Sequence, residues 1–326
     1  MSGSPGWLAC LPPGVGAVVL NLTGVSPDRA TWLAAYPAGA AWPGNSSVSI
    51  AGGMSTAALV VVPVGSNGKT SLRNGMGRTD ALVDIVGFHP LSGGSRFNAA
   101  QPRRMLDTRA ADSRFSARET RTVSLAPLPR GATGVVLNIT SVAPAGGGFL
   151  TVTAGGSGPG GTSILNTDVS RVVSNRVYVE LGANRTIDIH ASTATDVLVD
   201  GVGWFGRNGA RYVPVTPMRS FDSRNDIGGL VQFKGGVPQE LDVVAAGVPA
   251  EARSVVLTLT GTGFGTPTYV TAWTHARPQP ETSDLNVSPN ADTSNLVVAE
   301  LGRGSLDVVT GAGRGHIVGD VVGYFK

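Results

Sequence analysis

Apolar residues in this chain fall in short runs of period two, not at the three-to-four spacing of an amphipathic helix. Val135-Val-Leu-Asn-Ile-Thr140, Phe149-Leu-Thr-Val-Thr153, Arg176-Val-Tyr-Val-Glu180, Thr186-Ile-Asp-Ile-His190 and Asp196-Val-Leu-Val-Asp200 are β-branched or alternating. Gly, Pro, Asn and Ser bound them, so the pattern predicts strands with turn signals every ~8–12 residues.

The pattern repeats. Val18-Val-Leu-Asn-Leu-Thr23 returns as Val135-Val-Leu-Asn-Ile-Thr140 and as Val255-Val-Leu-Thr-Leu-Thr260. The closing runs Leu82–Phe88, Leu198–Phe205 and Val318–Phe325 return at the same period of roughly 115–120 residues. Loop-like linkers at His89–Ser95 and Gly206–Ala210 place the cuts, giving repeats at 1–90, 91–207 and 208–326. About eight strands in ~115 residues suit a two-sheet antiparallel sandwich of jelly-roll or immunoglobulin-like topology. Trefoil lobes and propeller blades are too short for this period. The expected fold is all-β: three tandem antiparallel β-sandwich repeats strung out as a rod.

Comparison between repeats corrects one local signal. Ser26-Pro-Asp-Arg-Ala-Thr-Trp-Leu-Ala-Ala35 has the N-cap and first-turn proline of a helix. Its counterparts at 143–152 and 263–272 are rich in Gly, Pro and Thr and cannot be helical. The segment is therefore predicted to be a loop entering a strand, with Trp32, Phe149 and Tyr269 as coincident core aromatics. Comparison also exposes a gap. The second and third repeats open with extended segments, Arg96–Arg109 and Arg211–Arg224. The first begins at Trp7–Pro13, which matches only Ser124–Pro129. Its sandwich is expected to lack a first strand and to present an open apolar groove. The groove would be completed either by sequence upstream of Met1 or by a strand borrowed from a neighbouring molecule, with a remodelled, less stable first repeat as the third option.

Composition narrows the class further. The 326 residues include 46 Gly and 21 Pro, yet 41% are hydrophobic, enough for a packed core. Only 14% are charged, which argues against coiled coils, helical solenoids and acidic disordered tails. No apolar run approaches the ~18 residues of a membrane span. The N-terminal stretch has no basic residue before Arg29 and reads as carrying no secretory signal. The net charge is +3 and the arginines are scattered with few aromatics among them, so no nucleic-acid partner is expected. With Cys10 the single cysteine, no intrachain disulfide or cysteine metal site can form.

Polar residues that recur across the repeats are the candidates for chemistry. Asp84, Asp200 and Asp320 sit in the closing strands; Asp80 and Asp196 precede two of them, with His316 in the third. Asn166 and Asn286 repeat opposite Ser49, and Asn175 and Asn295 opposite Ala58. Pro102–Arg109 recurs as Pro217–Arg224, aligning Asp107 and Arg109 with Asp222 and Arg224. Calcium would favour such Asp and Asn oxygens, but Asp84 lies in an apolar strand and no Asp-x-Asp-x-Asp loop exists. A glycosidase carboxylate pair fails where His316 replaces the first carboxylate. No Gly-x-Ser-x-Gly elbow is present, and His89, His190, His275 and His316 occupy non-equivalent places. The favoured roles are structural: Asp–Arg pairing on the strand, turn-amide hydrogen bonds from Asn and Asp, and Leu106 and Phe221 pointing into the core. Trp42 and Trp273 do not recur as aromatics, leaving each open to core filling or to glycan contact.

Taken together, Pro-x-Arg-x-Leu-Asp-Thr-Arg, Val-Val-Leu-Asn-Ile-Thr, Phe-Leu-Thr-Val, Ser163-Ile-Leu-Asn166 and Asp-Val-Val-Gly-Tyr-Phe resemble a family of tandem repeats in secreted and cell-surface proteins of actinobacteria. The resemblance spans nearly the whole chain. It implies an extracellular all-β repeat, often an appendage beside enzymatic or anchoring domains, with no catalytic residues. These repeats lack the cysteines that other copies often carry, and the first repeat lacks the Pro-x-Arg-x-Leu-Asp-Thr-Arg strand. The expected function is a non-enzymatic structural or adhesive module at the cell surface or outside the cell. It would self-associate through the first repeat as a filament or oligomer subunit. The alternative is a carbohydrate-binding module, contacting cell-envelope glycan and appended to a secreted enzyme. Neither reading involves a cofactor or metal.

Overall fold

The computed structural model describes residues 11–65, 68–110, 112–169 and 171–326. Part of the Trp7–Pro13 match, residues 7–10, lies outside them, as does Cys10. Among the described residues every element is a β-strand, and no helix is long and apolar enough to cross a membrane. The first repeat carries β1 (Val15–Val25), β2 (Thr31–Pro37), β3 (Val48–Ile50), β4 (Thr56–Pro63), β5 (Thr70–Asn74) and β6 (Asp80–Pro90). The second carries β7 (Arg96–Asp107), β8 (Glu119–Ser124), β9 (Gly134–Val142), β10 (Gly148–Ala154), β11 (Leu165–Thr167), β12 (Val173–Glu180), β13 (Thr186–Ala191) and β14 (Asp196–Gly206). The third carries β15 (Tyr212–Asp222), β16 (Phe233–Lys234), β17 (Gln239–Asp242), β18 (Ser254–Thr262), β19 (Thr268–Thr274), β20 (Leu285–Val287), β21 (Thr293–Glu300), β22 (Ser305–Thr310) and β23 (Arg314–Phe325).

These strands form six antiparallel sheets. Three inner sheets run β4-β1-β6, β12-β9-β14-β7 and β21-β18-β23-β15, with β16 also pairing β23. Three outer sheets run β3-β2-β5, β11-β10-β13-β8 and β17-β22-β19-β20. Side-chain alternation explains the grouping. In β1, Val18, Leu20 and Leu22 join a core shared with the outer-sheet residues Leu33, Ala35, Val48 and Ile50. The alternate residues Ala17 and Val19 point the other way, into a cluster drawn from all three repeats. Val135, Leu137 and Ile139 of β9 face their own outer sheet while Val136 faces the shared cluster. In β18 the same division separates Val255, Leu257 and Leu259 from Val256. Each central strand is thus apolar on both faces, which is why its sequence reads as an almost unbroken hydrophobic run.

The shared cluster marks a pseudo-threefold axis. Equivalent residues His89, Phe205 and Phe325 meet there in a near-equilateral triangle, with ring centroids 6.2, 5.8 and 6.4 Å apart. The repeats therefore gather around a common axis, and the extended rod expected from tandem order is not what the chain forms. Phe221 is fully buried in the third-repeat core, whereas its counterpart Leu106 only packs against the edge of the second. Trp32, Phe149 and Tyr269 correct another expectation. Phe149 and Tyr269 are 40% and 42% exposed, and Trp32 is half-buried. The inward residues are one position later, at Leu33, Leu150 and Val270. A shift of one residue along a strand moves a side chain to the opposite face.

His89 is the polar member of the axial triangle. Its ring stacks on Tyr212 at 4.2 Å, and burial lowers its pKa from the ordinary 6.5 to about 3. Folding therefore holds the imidazole neutral. The stability associated with it is complete above pH 6.5 and falls as the pH drops toward 3, by about 1.4 kcal/mol per unit. His89→Phe, which restores the residue type of the other two repeats, removes this slope. Denaturant unfolding at pH 7 and pH 4 should show the variant gaining about 3 kcal/mol on the parent between the two conditions.

Candidate functional site

The axis-facing row of each central strand continues from Ala17 and Val19 to a polar residue, Asn21 in β1 and Asn138 in β9. Both are buried, so their amides need partners. They find them across the seams between repeats. Asn21 Nδ2 donates to Ser163 O at 2.7 Å, and its Oδ1 accepts from Asn175 Nδ2 at 3.1 Å. Asn175 Oδ1 accepts the backbone N–H of Leu59 at 2.9 Å. The next seam copies this arrangement. Asn138 Nδ2 donates to Ser283 O at 2.6 Å, Asn295 Nδ2 donates to Asn138 Oδ1 at 3.1 Å, and Asn295 Oδ1 accepts from Arg176 N at 3.1 Å. The seam between the third and first repeats has Thr258 and Ala58 at these places, so the asparagine latch is made twice.

The second seam also holds an ion pair. Arg176 in β12 is fully buried, its Nη2 bonded to Asp284 and its Nε donating to Leu296 O at 3.0 Å. Asp284 Oδ2 accepts the Ala272 N–H at 2.7 Å. Leu59 and Leu296 occupy the place of Arg176 in the other repeats, and Ser47 and Ile164 that of Asp284. In the sequence Arg176 stands out only as a member of the Arg176–Glu180 strand run. The available signal was a lone arginine at a position filled by leucine in both other copies.

The closing aspartates belong to a separate clamp. Arg104 of β7 bonds Asp200 and bridges to Asp107 at 3.1 Å, while Arg109 Nη2 donates to Asp107 at 2.8 Å. The third repeat repeats it: Arg219 bonds Asp320 at 2.6 Å and Asp222 at 3.3 Å, with Arg224 on Asp222 at 2.7 Å. Hydrogen bonds from Arg109 and Arg224 pull Asp107 and Asp222 down to about 2. Burial raises Asp200 and Asp320, against the opposing hydrogen bonds from Arg104 and Arg219. Both clamp arginines also reach the following repeat, Arg104 to Glu281 O and Arg219 to Gly44 O. Asp84, the third aspartate, stands in β6 without such an arginine, and burial raises its pKa. Asp196 binds Arg114 and the Thr108 hydroxyl, and His316 faces the Ser223 hydroxyl at 3.2 Å.

Asn166 and Asn286 line a polar cavity of about 400 Å³ that draws residues from all three repeats, including Ser49, Ser174, Ser294, Asp168 and Asp292. Asn286 Nδ2 donates to Ser174 Oγ at 3.3 Å, and Ser49 N donates to Ser294 Oγ at 2.9 Å. Arg171 of the second repeat donates to Ser288 Oγ of the third at 3.1 Å and also bonds Met54 Sδ of the first. Hydroxyls and amides dominate the lining. Such a cleft can hydrogen-bond a small polar molecule, and among the described residues none of its serine hydroxyls is hydrogen-bonded to Asp168 or Asp292.

Elsewhere, Trp273 is 4% exposed and its Nε1 donates to Arg277 O, so glycan stacking on it is ruled out and it fills the core. Trp42 is half-buried, stacked on Trp32 at 5.2 Å with Arg73 over its ring at 4.5 Å. His275 lies between Asp307 and Glu240, at 2.9 and 3.9 Å, and the hydrogen bond to Asp307 raises its pKa. Asp307 thus takes Nδ1 and Glu240 faces Nε2, the nitrogen at which a triad would place a nucleophile. Among the described residues no group of three or more His, Cys, Asp or Glu is arranged to hold a metal ion.

No family model and no curated protein matches the sequence. Among solved structures, one chain is from the atomic structure of Sulfolobus turreted icosahedral virus. It is 11% identical at a TM-score of 0.20, over 96% of this chain and 80% of that one. Another is from a structure of the triple jelly roll fold and turret assembly in an archaeal virus. It is 10% identical at a TM-score of 0.19, over 98% of this chain and 81% of that one. Likeness this slight says nothing of what the chain does.

The buried ion pair makes a clear expectation. Asp284→Ile, the residue of the second repeat, strands the Arg176 charge in the seam and should cost about 3–5 kcal/mol. Adding Arg176→Leu, the residue of the third repeat, should recover most of that loss. Denaturant unfolding of the two single variants and the double variant gives the coupling energy directly.

Proposed function

We propose that the chain is a non-enzymatic structural or adhesive module, built as three β-sandwich repeats of jelly-roll or immunoglobulin-like type and carried outside the cell or on its surface. The observation supporting this is where its recurrent polar residues act. Asn175, Asn295, Asp200 and Asp320 bond across seams or clamp an edge strand to its sheet, and none of them meets a nucleophile. Residues retained in every copy of a catalytic unit would converge on one reacting atom. These hold backbone and neighbouring repeats in register. The resemblance to actinobacterial surface repeats points the same way.

A carbohydrate-binding reading draws support from one feature, the half-buried Trp42–Trp32 stack, whose aromatic face would open to a sugar ring if the Arg73 guanidinium over it moved aside. Two measurements separate the readings. A screen of ester, peptide and glycoside substrates should give no turnover; turnover abolished by one point substitution overturns the structural reading. Glycan-array binding should be absent in the parent, and binding lost in a folded Trp42→Ala variant would establish the carbohydrate reading instead.

A further inference from the structure

The closing strand is buried in two repeats and bare in one. Leu198, Val199 and Val202 of β14 are 6, 0 and 2% exposed. Their counterparts Leu82, Val83 and Val86 of β6 are 56, 43 and 36% exposed. The difference lies in the neighbours. β14 pairs with β9 and β7, and β23 with β18 and β15, whereas among the described residues β6 pairs with β1 alone. An apolar strand with one free hydrogen-bonding edge is a template for another strand.

Two features of β6 match side chains that β7 and β15 supply elsewhere. At Gly203 and Gly323 an added side chain would collide with Phe97 of β7 and Tyr212 of β15, so these glycines are sockets for an aromatic ring. Around the equivalent Gly87 nothing lies within 4 Å. The second feature is charge. In the paired registers Asp200 lies opposite Arg104 and Asp320 opposite Arg219, and each arginine goes on to a carbonyl of the next repeat, Glu281 O or Gly44 O. Pseudo-symmetry places Gly161 O at that position beyond Asp84. The aromatic precedes the arginine by the same interval in both strands, Phe97 to Arg104 and Tyr212 to Arg219.

From this geometry we propose that β6 accepts, antiparallel, an extended segment of a partner polypeptide carrying an aromatic residue over Gly87 and an arginine on Asp84. A separate polypeptide is the fitting donor. β7 and β15 are already paired within their own sheets, so a second copy could lend either one only by opening its own repeat. Residues 1–10 contain no arginine. The inference rests on the structural reading above and gives it a partner, joined by β-strand addition.

The test uses the whole chain and a synthetic peptide with the sequence of residues 96–109. One peptide should bind per chain and raise the melting temperature, as any ligand of the folded form does. Affinity should fall roughly tenfold or more with Asp84→Ala in the chain, and likewise with Arg104→Leu or Phe97→Ala in the peptide. Circular dichroism confirms that the Asp84→Ala chain is folded. No binding, equal binding of a scrambled peptide, or indifference to Asp84→Ala overturns the proposal. So does sedimentation showing that the chain alone dimerises and that Val86→Lys dissociates it, since the occupant would then be a second copy. Substrate turnover would defeat the structural reading without touching the peptide result, so the two failures are distinguishable.

Discussion

Everything in this molecule depends on three central strands being apolar on both faces. A strand such as β1 buries Val18, Leu20 and Leu22 against its own outer sheet and still has Ala17 and Val19 to cover. Leaving the second row in water would forgo burial at ~25 cal/mol per Å² along every central strand. The three inner sheets solve this for one another by meeting on the axis. The price is that any polar group on the inward row must be satisfied by another repeat, because its own sheet and the axial cluster offer it nothing.

The asparagine latches answer that demand. An Asn side chain has two donors and an acceptor oxygen, enough to join a strand, a loop carbonyl and a neighbouring amide at once. Asn175 does all of this with Asn21, Ile164 O and Leu59 N. The seams that carry latches are those between repeats adjacent in sequence. The seam that closes the ring relies on small residues and on contacts such as Ser49 N to Ser294 Oγ.

Much of the secondary structure was legible in sequence because alternation and turn residues are local signals. The five strand segments picked out in the second repeat all fall within β9, β10, β12, β13 and β14. Internal comparison also found no counterpart of β7 and β15 in the first repeat, and among the described residues β6 pairs with β1 alone. Burial on the axis was harder to read. A continuous run such as Val-Val-Leu-Asn says that both faces are covered, but not by what. The same ambiguity misdirected Trp32, Phe149 and Tyr269. Beside an apolar neighbour, period two does not say which of two adjacent hydrophobic residues points inward, and the smaller Leu or Val took the core. For the candidate site, sequence supplied the recurrent Asn positions but not their cross-seam partners, which lie more than a hundred residues away. Arg176 and Asp284 escaped because comparison of repeats finds what is shared, and this pair is not.

That unshared pair gives the assembly an address. Three similar repeats around an axis could be seated in either circular order, clockwise or anticlockwise, with nearly the same apolar contacts. Swapping the neighbours would set Arg176 against Ser47 of the first repeat in place of Asp284 of the third. A guanidinium sealed in a dry seam opposite a hydroxyl is strongly unfavourable. The charge pair thus works as a key, favouring one of the two circular orders of three similar parts.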